Sequence, residues 1–290
     1  MSWYRRVSRA FEDAASVPMD SASRFVLMSD CHRGTGNHND NFMKNQNVYF
    51  AALNDYFEKG FTYIEIGDGD ELWENRSFAR IIDIHSDVFW LLSKFKEENR
   101  LFMLYGNHDL SKRRCSYCRR HCSTYHVSGQ LAQAALFPDM CYLQSLILED
   151  TEQKNDLYLI HGHQVEILND TLSFISRFLV RYLWKPLEAT GISDPTSAAR
   201  NYTKKRKVEK RLLKWACQEN KILITGHTHR PMLGFADSPY FNTGSCVHPR
   251  CITCIEIQNR QLTLVKWTVR TKEDRTLYVA REVIGESWAF

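Results

Sequence analysis

No stretch of this 290-residue chain approaches the run of about 18 uninterrupted apolar residues that a membrane-spanning helix needs. The opening segment, MSWYRRVSRAFEDAAS, has no apolar core followed by a small-residue cleavage site, so secretion is not expected. Charge of one sign is also scarce: a net +4 gives composition no pull toward nucleic acid. Internal repeats and low-complexity tracts are missing, which argues against a repeat array or a tract-driven disordered chain. The nine cysteines are odd in number and follow no leader, so they do not read as a disulfide framework. What remains is 43% hydrophobic and 25% charged, the make-up of a globular protein with room for one large α/β domain or a domain with a sizeable insertion. A cytoplasmic location is the expectation.

The pattern along the chain alternates strand and helix. An amphipathic helix and polar lead-in fill residues 1–23, ending at Pro18. Strands are expected at 24–29, 61–66 and 101–105, with helices at about 42–59 and 77–98 between them. This alternation predicts β-α-β units and a largely parallel sheet. A basic, cysteine-rich loop at 111–128, a helix near 129–136 and strands near 142–149 and 157–161 follow. A long helical block lies between His163 and Lys221. The tail then turns strand-rich (YFNTGSCV, CITCIEI, LTLVKWTV, LYVAREV) and is expected to close a second, antiparallel sheet.

Five of the apolar runs end directly in residues able to bind a metal. They are RFVLMSDCH with Asp30 and His32, YIEIGD with Asp68, LFMLYGNHD with Asn107 and His108, LYLIHGH with His161, and KILITGHTH with His227 and His229. Ligands of open α/β sheets gather outside the carboxyl ends of the strands, so these ends can converge on one pocket. Carboxylates, an amide oxygen and imidazoles meeting there suit two divalent cations. Such a pair, roughly 3.5–4 Å apart, grips a phosphate and turns a shared water into an attacking hydroxide.

In order, Asp30-x-His32, Gly67-Asp68, Gly106-Asn107-His108-Asp109, His161-Gly162 and Gly226-His227-Thr228-His229 resemble the calcineurin-like metallophosphoesterase signature, over about two thirds of the chain. The resemblance implies an α/β sandwich of two mixed β-sheets flanked by helices, as a single domain with a helical insertion at about 164–220. It implies that Asp30, His32, Asp68 and His229 hold one metal, and that Asp68 (bridging), Asn107, His161 and His227 hold the other. His108 would protonate the leaving oxygen, with Asp109 orienting it. Two divalent ions are implied, Mn²⁺ or Fe by the mixed oxygen and imidazole donors, with Zn²⁺ as the alternative.

Several residues carry open readings. IGDGDELWE holds two Gly-Asp pairs. Asp68 follows the strand and begins the form Gly-Asp-x-x-Glu-x-Trp through Glu71 and Trp73, with Asp70 as the alternative bridging ligand. Glu71 is expected to orient a ligand. Arg33 either clamps a substrate phosphate through its planar fork or makes an ion pair. His163 either lines the pocket or is structural, and His38, His85, His121, His126 and His248 take the structural or exposed default. Cys141 and Cys217 read as small buried hydrophobes. Cys115, Cys118 and Cys122, with Cys251, Cys254 and Cys246, are either free thiols or a structural zinc site.

The insertion places Leu168, Leu172, Ile175, Leu179 and Leu183 at helical spacing beside Arg177, Arg181 and Lys185, followed by the basic run NYTKKRKVEKRLLKWACQ. With the Gly-Asp-x-x-Glu-x-Trp form, this is similar to the UDP-2,3-diacylglucosamine pyrophosphatase branch of the family, whose insertion covers a lipid substrate. The stripe either packs on the body, makes a dimer interface, covers a lipid- or nucleotide-linked substrate, or touches a membrane surface. Hydrolysis of a phosphate ester or pyrophosphate bond in a small or lipid-linked molecule is therefore the expected activity. The alternatives are a nuclease using the 204–214 helix as a backbone clamp, and a non-catalytic scaffold of the same fold.

Overall fold

A computed structural model of the chain describes residues 2–126, 133–166, 202–235 and 237–290. Among them, two large sheets lie face to face between helical layers. The first sheet has the parallel strands β2 (Arg24–Met28), β3 (Thr62–Ile66) and β4 (Leu101–Leu104). Beyond β2 it continues antiparallel through β11 (Cys251–Gln258), β12 (Gln261–Thr271) and β13 (Leu277–Val283), with β14 (Trp288–Ala289) also on β12. The second sheet runs in the order β1 (Ala15–Met19), β7 (Ser145–Asp150), β8 (Leu157–Ile160), β9 (Ile222–Thr225) and β10 (Tyr240–Asn242). β5 (Thr124–His126) and β6 (Gln133–Ala135) pair separately.

Alternation along each strand decides the layering, because successive side chains point to opposite faces. Phe25, Leu27, Ile64, Ile66 and Leu104 join Leu146, Leu148, Leu157, Leu159 and Ile224 in a core shared by the two sheets. Val26, Met28, Tyr63 and Met103 face the other way, onto α2 (Gln46–Glu58), α3 (Phe78–Ile84) and α4 (Ser86–Glu97). On the far face of the second sheet, Ile160 and Leu223 pack with Val7 and Ala10 of α1 (Trp3–Glu12) and with Val208, Leu212 and Trp215 of α6 (Tyr202–Glu219). Each fully buried Leu or Phe stabilises this four-layer stack by about 1.5–3 kcal/mol.

Several expectations need correction. Residues 15–19 are a strand, not a lead-in. β1 sits at the edge of its sheet, where Pro18 can lack a donor without breaking a ladder. Of the tail, β10 joins the second sheet, parallel to β9, whereas β11, β12 and β13 extend the first, because β11 pairs with β2. The helix expected at 77–98 breaks at His85, which is buried between Gln46 and Asp40. Residues 115–121 form a helix, α5 (Cys115–His121), and 133–135 a strand where a helix was expected. Cys115 and Cys141 form a disulfide, so neither is a free thiol, and Cys141 and Cys217 are exposed rather than buried. The insertion's apolar stripe lies outside the described residues. Its basic continuation, α6, turns an apolar face onto the second sheet.

Candidate metal centre

The parallel strands β2, β3 and β4 of one sheet and β8 and β9 of the other all deliver their carboxyl ends to one rim. Each chain then turns sharply. Asp30, His32, Asp68, His227 and His229 all have left-handed backbones, with φ between 48° and 69°. Non-glycine residues seldom adopt such φ, and strain of this kind concentrates at functional sites. The glycines beside them answer to close approach: a Cβ on Gly106 would stand 2.1 Å from Asp68 Oδ1, and Gly67 itself has a φ of 77°.

The side chains converge accordingly. Asp30, His32 and His229 form one trio and Asp68, His161 and His227 another, with the ligand atoms of each trio within 4.8 Å of one another. His229 Nε2 lies 3.1 Å from Asp30 Oδ1, and His161 Nε2 lies 3.0 Å from Asp68 Oδ2. His32 Nε2 reaches toward both carboxylates, at 3.8 Å from Asp30 and 3.9 Å from Asp68. Asn107 is buried, and the N–H of the next residue, His108, donates to Asp68 Oδ1 at 2.8 Å.

Surrounding groups fix these donors. His161 Nδ1 faces the carbonyl of Ile66 at 2.8 Å, and an N–H donated there leaves Nε2 to face the cluster. Asp30 Oδ2 accepts from the backbone of His227 at 2.9 Å and from the Ser29 hydroxyl. Glu71 Oε2 lies 2.9 Å from His32 Nδ1 and 2.7 Å from His108 Nδ1, while Trp73 stacks on the His108 ring at 4.3 Å. Glu166, which the strand-end pattern could not single out, stands 2.8 Å from His227 Nε2 and 3.3 Å from Lys204. Burial would raise its pKa, but His227 and Lys204 hold it at about 2. It follows a short helical turn off the strand, so no local signal marks it.

Two expected roles change, those of Arg33 and Asp109, and one alternative, Asp70, falls away. Arg33 is fully buried, with Nη1 and Nη2 each 2.8 Å from Glu65 and Nε 2.7 Å from Asp70; its fork is spent inside the protein and is not offered to a phosphate. Asp70 is occupied by Arg33 and by the buried Lys112 ammonium, so it stands outside the cluster that Asp68 enters. Asp109 turns away from His108 and accepts from the N–H groups of Gly106 at 2.7 Å and Gly69 at 3.2 Å. It therefore clamps two site loops, and Glu71 and Trp73 position His108. His163 is buried beside His161, with ring centroids 5.5 Å apart.

The cluster suits divalent cations on its own evidence. Asn107 Oδ1 is buried and makes no hydrogen bond, a costly state for a polar atom, while buried Asp30 Oδ1 and His161 Nε2 face other side chains of the cluster at 3.1 Å and 3.0 Å. Burial opposes charge on His161, yet Asp68 and Asp30 hold its pKa up at about 9. The cage thus carries an excess of negative charge that attracts positive charge. Among the described residues, no cysteine belongs to a trio able to hold a metal. The alternative zinc set with Cys251 and Cys254 does not assemble: Cys254 lies in the core against Tyr56, and Cys115 is bonded to Cys141.

The family model for the calcineurin-like phosphoesterases matches residues 23–231, and the chain belongs to that family. Its fold is theirs, and membership supports metal-dependent hydrolysis of phosphoesters in general. Among solved structures, the chain is similar to Vps29 from Chaetomium thermophilum, with a TM-score of 0.43 and 12% identity over 93% of this chain and 98% of that one. The same protein complexed with the RaPID-derived cyclic peptide RT-D3 gives a TM-score of 0.38 and 12% identity over 91% and 96%. No curated protein matches by sequence.

Proposed function

We propose that this chain is a dinuclear metallophosphohydrolase that opens a phosphate ester or pyrophosphate bond at the rim of its two sheets. The observation that carries this reading is the convergence of the Asp30–His32–His229 and Asp68–His161–His227 trios beside the buried Asn107 Oδ1, which makes no hydrogen bond, with a half-buried histidine at their edge. Asp30, His32, Asp68 and His229 would hold one cation, and Asp68, Asn107, His161 and His227 the other. Mn²⁺ or Fe suits these mixed donors best, with Zn²⁺ as the alternative. When bound, such a pair neutralises phosphate charge and lowers the pKa of a shared water.

The rest belongs to the chain's own residues. The strained turns fix the ligand carboxylates and imidazoles before substrate arrives, so little reorganisation is left for the reaction. His108 has Nδ1 against Glu71, which leaves Nε2 to deliver a proton to the departing oxygen. Burial disfavours the imidazolium, but Glu71 and Asp68 outweigh it and raise the His108 pKa, keeping that proton available. Trp73 holds the ring in plane.

The substrate reading rests on the insertion and on Gly67-Asp68-x-x-Glu71-x-Trp73, which favour a lipid- or nucleotide-linked pyrophosphate of the UDP-diacylglucosamine kind. A cytoplasmic enzyme touching the membrane surface fits that chemistry; among the described residues no helix is long and apolar enough to cross a bilayer. The test is a panel of simple phosphoesters, UDP-linked lipids, cyclic nucleotides and nucleic acid, assayed with Mn²⁺ and with His108→Ala as control. Preferential turnover of the UDP-linked lipid supports the reading. Equal turnover of simple esters removes the substrate assignment, and salt-sensitive cleavage of nucleic acid replaces it with a nuclease.

A further inference from the structure

The buried face of α6 is apolar except at one position. Val208, Leu212, Trp215 and Ala216 pack there, and Glu209 stands among them with 6% exposure. A carboxylate on such a face costs free energy unless polar groups meet it, and an apolar side chain of similar size would fill the space without that cost. Its partners show what it does. Thr228 donates its hydroxyl to Glu209 Oε1 at 3.1 Å, and Arg230 Nε lies 3.2 Å from the same oxygen. These two residues flank His229, so one oxygen from α6 grips the chain on both sides of that imidazole.

The grip falls where the backbone needs it. His227 and His229 have left-handed backbones, at φ 69° and 56°, with Thr228 between them. Strained conformations of this kind persist only when their surroundings over-determine them. Asn242 helps from β10, donating Nδ2 to the carbonyl of Gly226 at 2.7 Å and to Thr228 Oγ1 at 3.3 Å. At the other end of the turn the same helix acts through Lys204, 3.3 Å from Glu166, which stands 2.8 Å from His227 Nε2. Arg211 Nη1 adds a hydrogen bond to the carbonyl of Val165 at 3.0 Å. The two imidazoles so addressed belong to different ligand trios.

Resting on the two-cation reading above, we propose that Glu209 is a positioning residue for the cation of the Asp30–His32–His229 trio. It sets the His229 imidazole through Thr228 and Arg230 and needs no contact with the ion or the substrate. The Lys204–Glu166 arm serves the cation of the Asp68–His161–His227 trio, so one helix braces the two cations separately. Groups that hold a ligand in its binding orientation raise metal affinity because less ordering is left to the ion.

The brace is itself well seated. Val208, Leu212, Trp215 and Ala216 pack in one cluster with Ile160, the residue before His161, and with Leu223 of β9, the strand that leads to His227. Helix and ligand-bearing strands therefore form one packed unit, and a carboxylate fixed on that helix holds its place against the turn.

Titration of the metal-stripped full chain with Mn²⁺, followed by calorimetry and by the paramagnetic resonance signal of free Mn²⁺, tests this. Wild type is expected to bind two ions. Glu209→Leu fills the same space without an acceptor, so its metal-free form should resist urea as well as wild type does. It should nevertheless bind one of the two ions about 10–100-fold more weakly. Glu209→Gln keeps an oxygen for Thr228 and Arg230 and should bind both ions with close to wild-type affinity. Glu166→Ala should weaken the other ion, and Glu209→Leu/Glu166→Ala should weaken both. Two ions held at full affinity by Glu209→Leu, or a loss of affinity matched by a loss of metal-free stability, would overturn the proposal. Weak binding in Glu209→Gln would overturn it too, since charge and not the grip would then be responsible. A wild type that binds no Mn²⁺ would instead remove the two-cation reading, and the role of Glu209 with it.

Discussion

Glu71 Oε2 stands 2.7 Å from His108 Nδ1, while Asp109, the next residue in the chain, faces the opposite way onto Gly106 and Gly69. The two carboxylates therefore have separable effects. His108→Ala removes the proton donor and should lower kcat by about 10²–10⁴-fold. Glu71→Gln, which leaves His108 and His32 without their charged partner, should cost about 10–100-fold in activity. Asp109→Ala should instead loosen the loops, and show as a loss of stability larger than its loss of kcat at equal folded fraction. Initial rates paired with urea denaturation decide it; a kcat loss in Asp109→Ala as large as that in His108→Ala would return the orienting role to Asp109.

How much of this could be read in advance follows from the range of each interaction. The strand ends were legible because apolar run and ligand are contiguous, as in YIEIGD and KILITGHTH. The brace around them was not. Arg33 follows Asp30 and His32 directly and looks like a phosphate clamp until Glu65 and Asp70, more than thirty residues away, claim its guanidinium. Glu166 meets His227 across 61 residues, and β11 meets β2 across more than 220. Pro18 hid β1, since its tolerance depends on lying at a sheet edge, a property of topology and not of local pattern.

The buried charges beneath the centre predict a stability effect. Lys112 is fully buried against Asp70 and Asp109, with the rings of Phe78 and Tyr142 beside its ammonium at 4.8 Å and 4.4 Å. Lys112→Met keeps the volume but leaves Asp70 with Arg33 as its cation and Asp109 with backbone N–H groups and no cation. Breaking one side of a buried ion network costs about 3–5 kcal/mol. Chemical denaturation should show a loss of that size, partly recovered in Lys112→Met/Asp70→Asn. An unchanged midpoint for the single variant would refute the account.

A second clamp sits at the opposite pole. Arg260, in the turn between β11 and β12, holds Asp150 at the end of β7 through Nη1 at 2.9 Å and Nη2 at 2.6 Å, joining the two sheets. The Arg260 hydrogen bonds lead in holding the Asp150 pKa well below its ordinary value, with backbone N–H groups adding to them. A carboxylate with a depressed folded pKa contributes stability above its unfolded value of about 3.9, and loses it as pH falls through the folded value. Asp150→Asn should therefore cost about 1–2 kcal/mol at pH 7 and progressively less below pH ~4. Unfolding free energies measured across that window check the sign; a penalty that grows toward acid would contradict it.

Metal linkage supplies the last prediction. Asp68 lies against His161 and within reach of His32, so the proposed centre depends on its carboxylate for both cations. A ligand bound only by the folded state stabilises it by RT ln(1 + [L]/Kd), about 2.7 kcal/mol at a hundredfold excess over Kd. Chelation of the wild type should therefore lower its unfolding temperature and abolish hydrolysis together, and Mn²⁺ should restore both. In Asp68→Ala, added Mn²⁺ should neither raise the unfolding temperature comparably nor restore turnover. Arg33 gives the contrast, because Arg33→Met disturbs the buried brace and leaves all seven proposed ligands in place: it should unfold more easily yet still gain stability from Mn²⁺. Hydrolysis that persists in Asp68→Ala, or a wild type whose unfolding ignores the chelator, would show that the clustered side chains do not form a working cation centre.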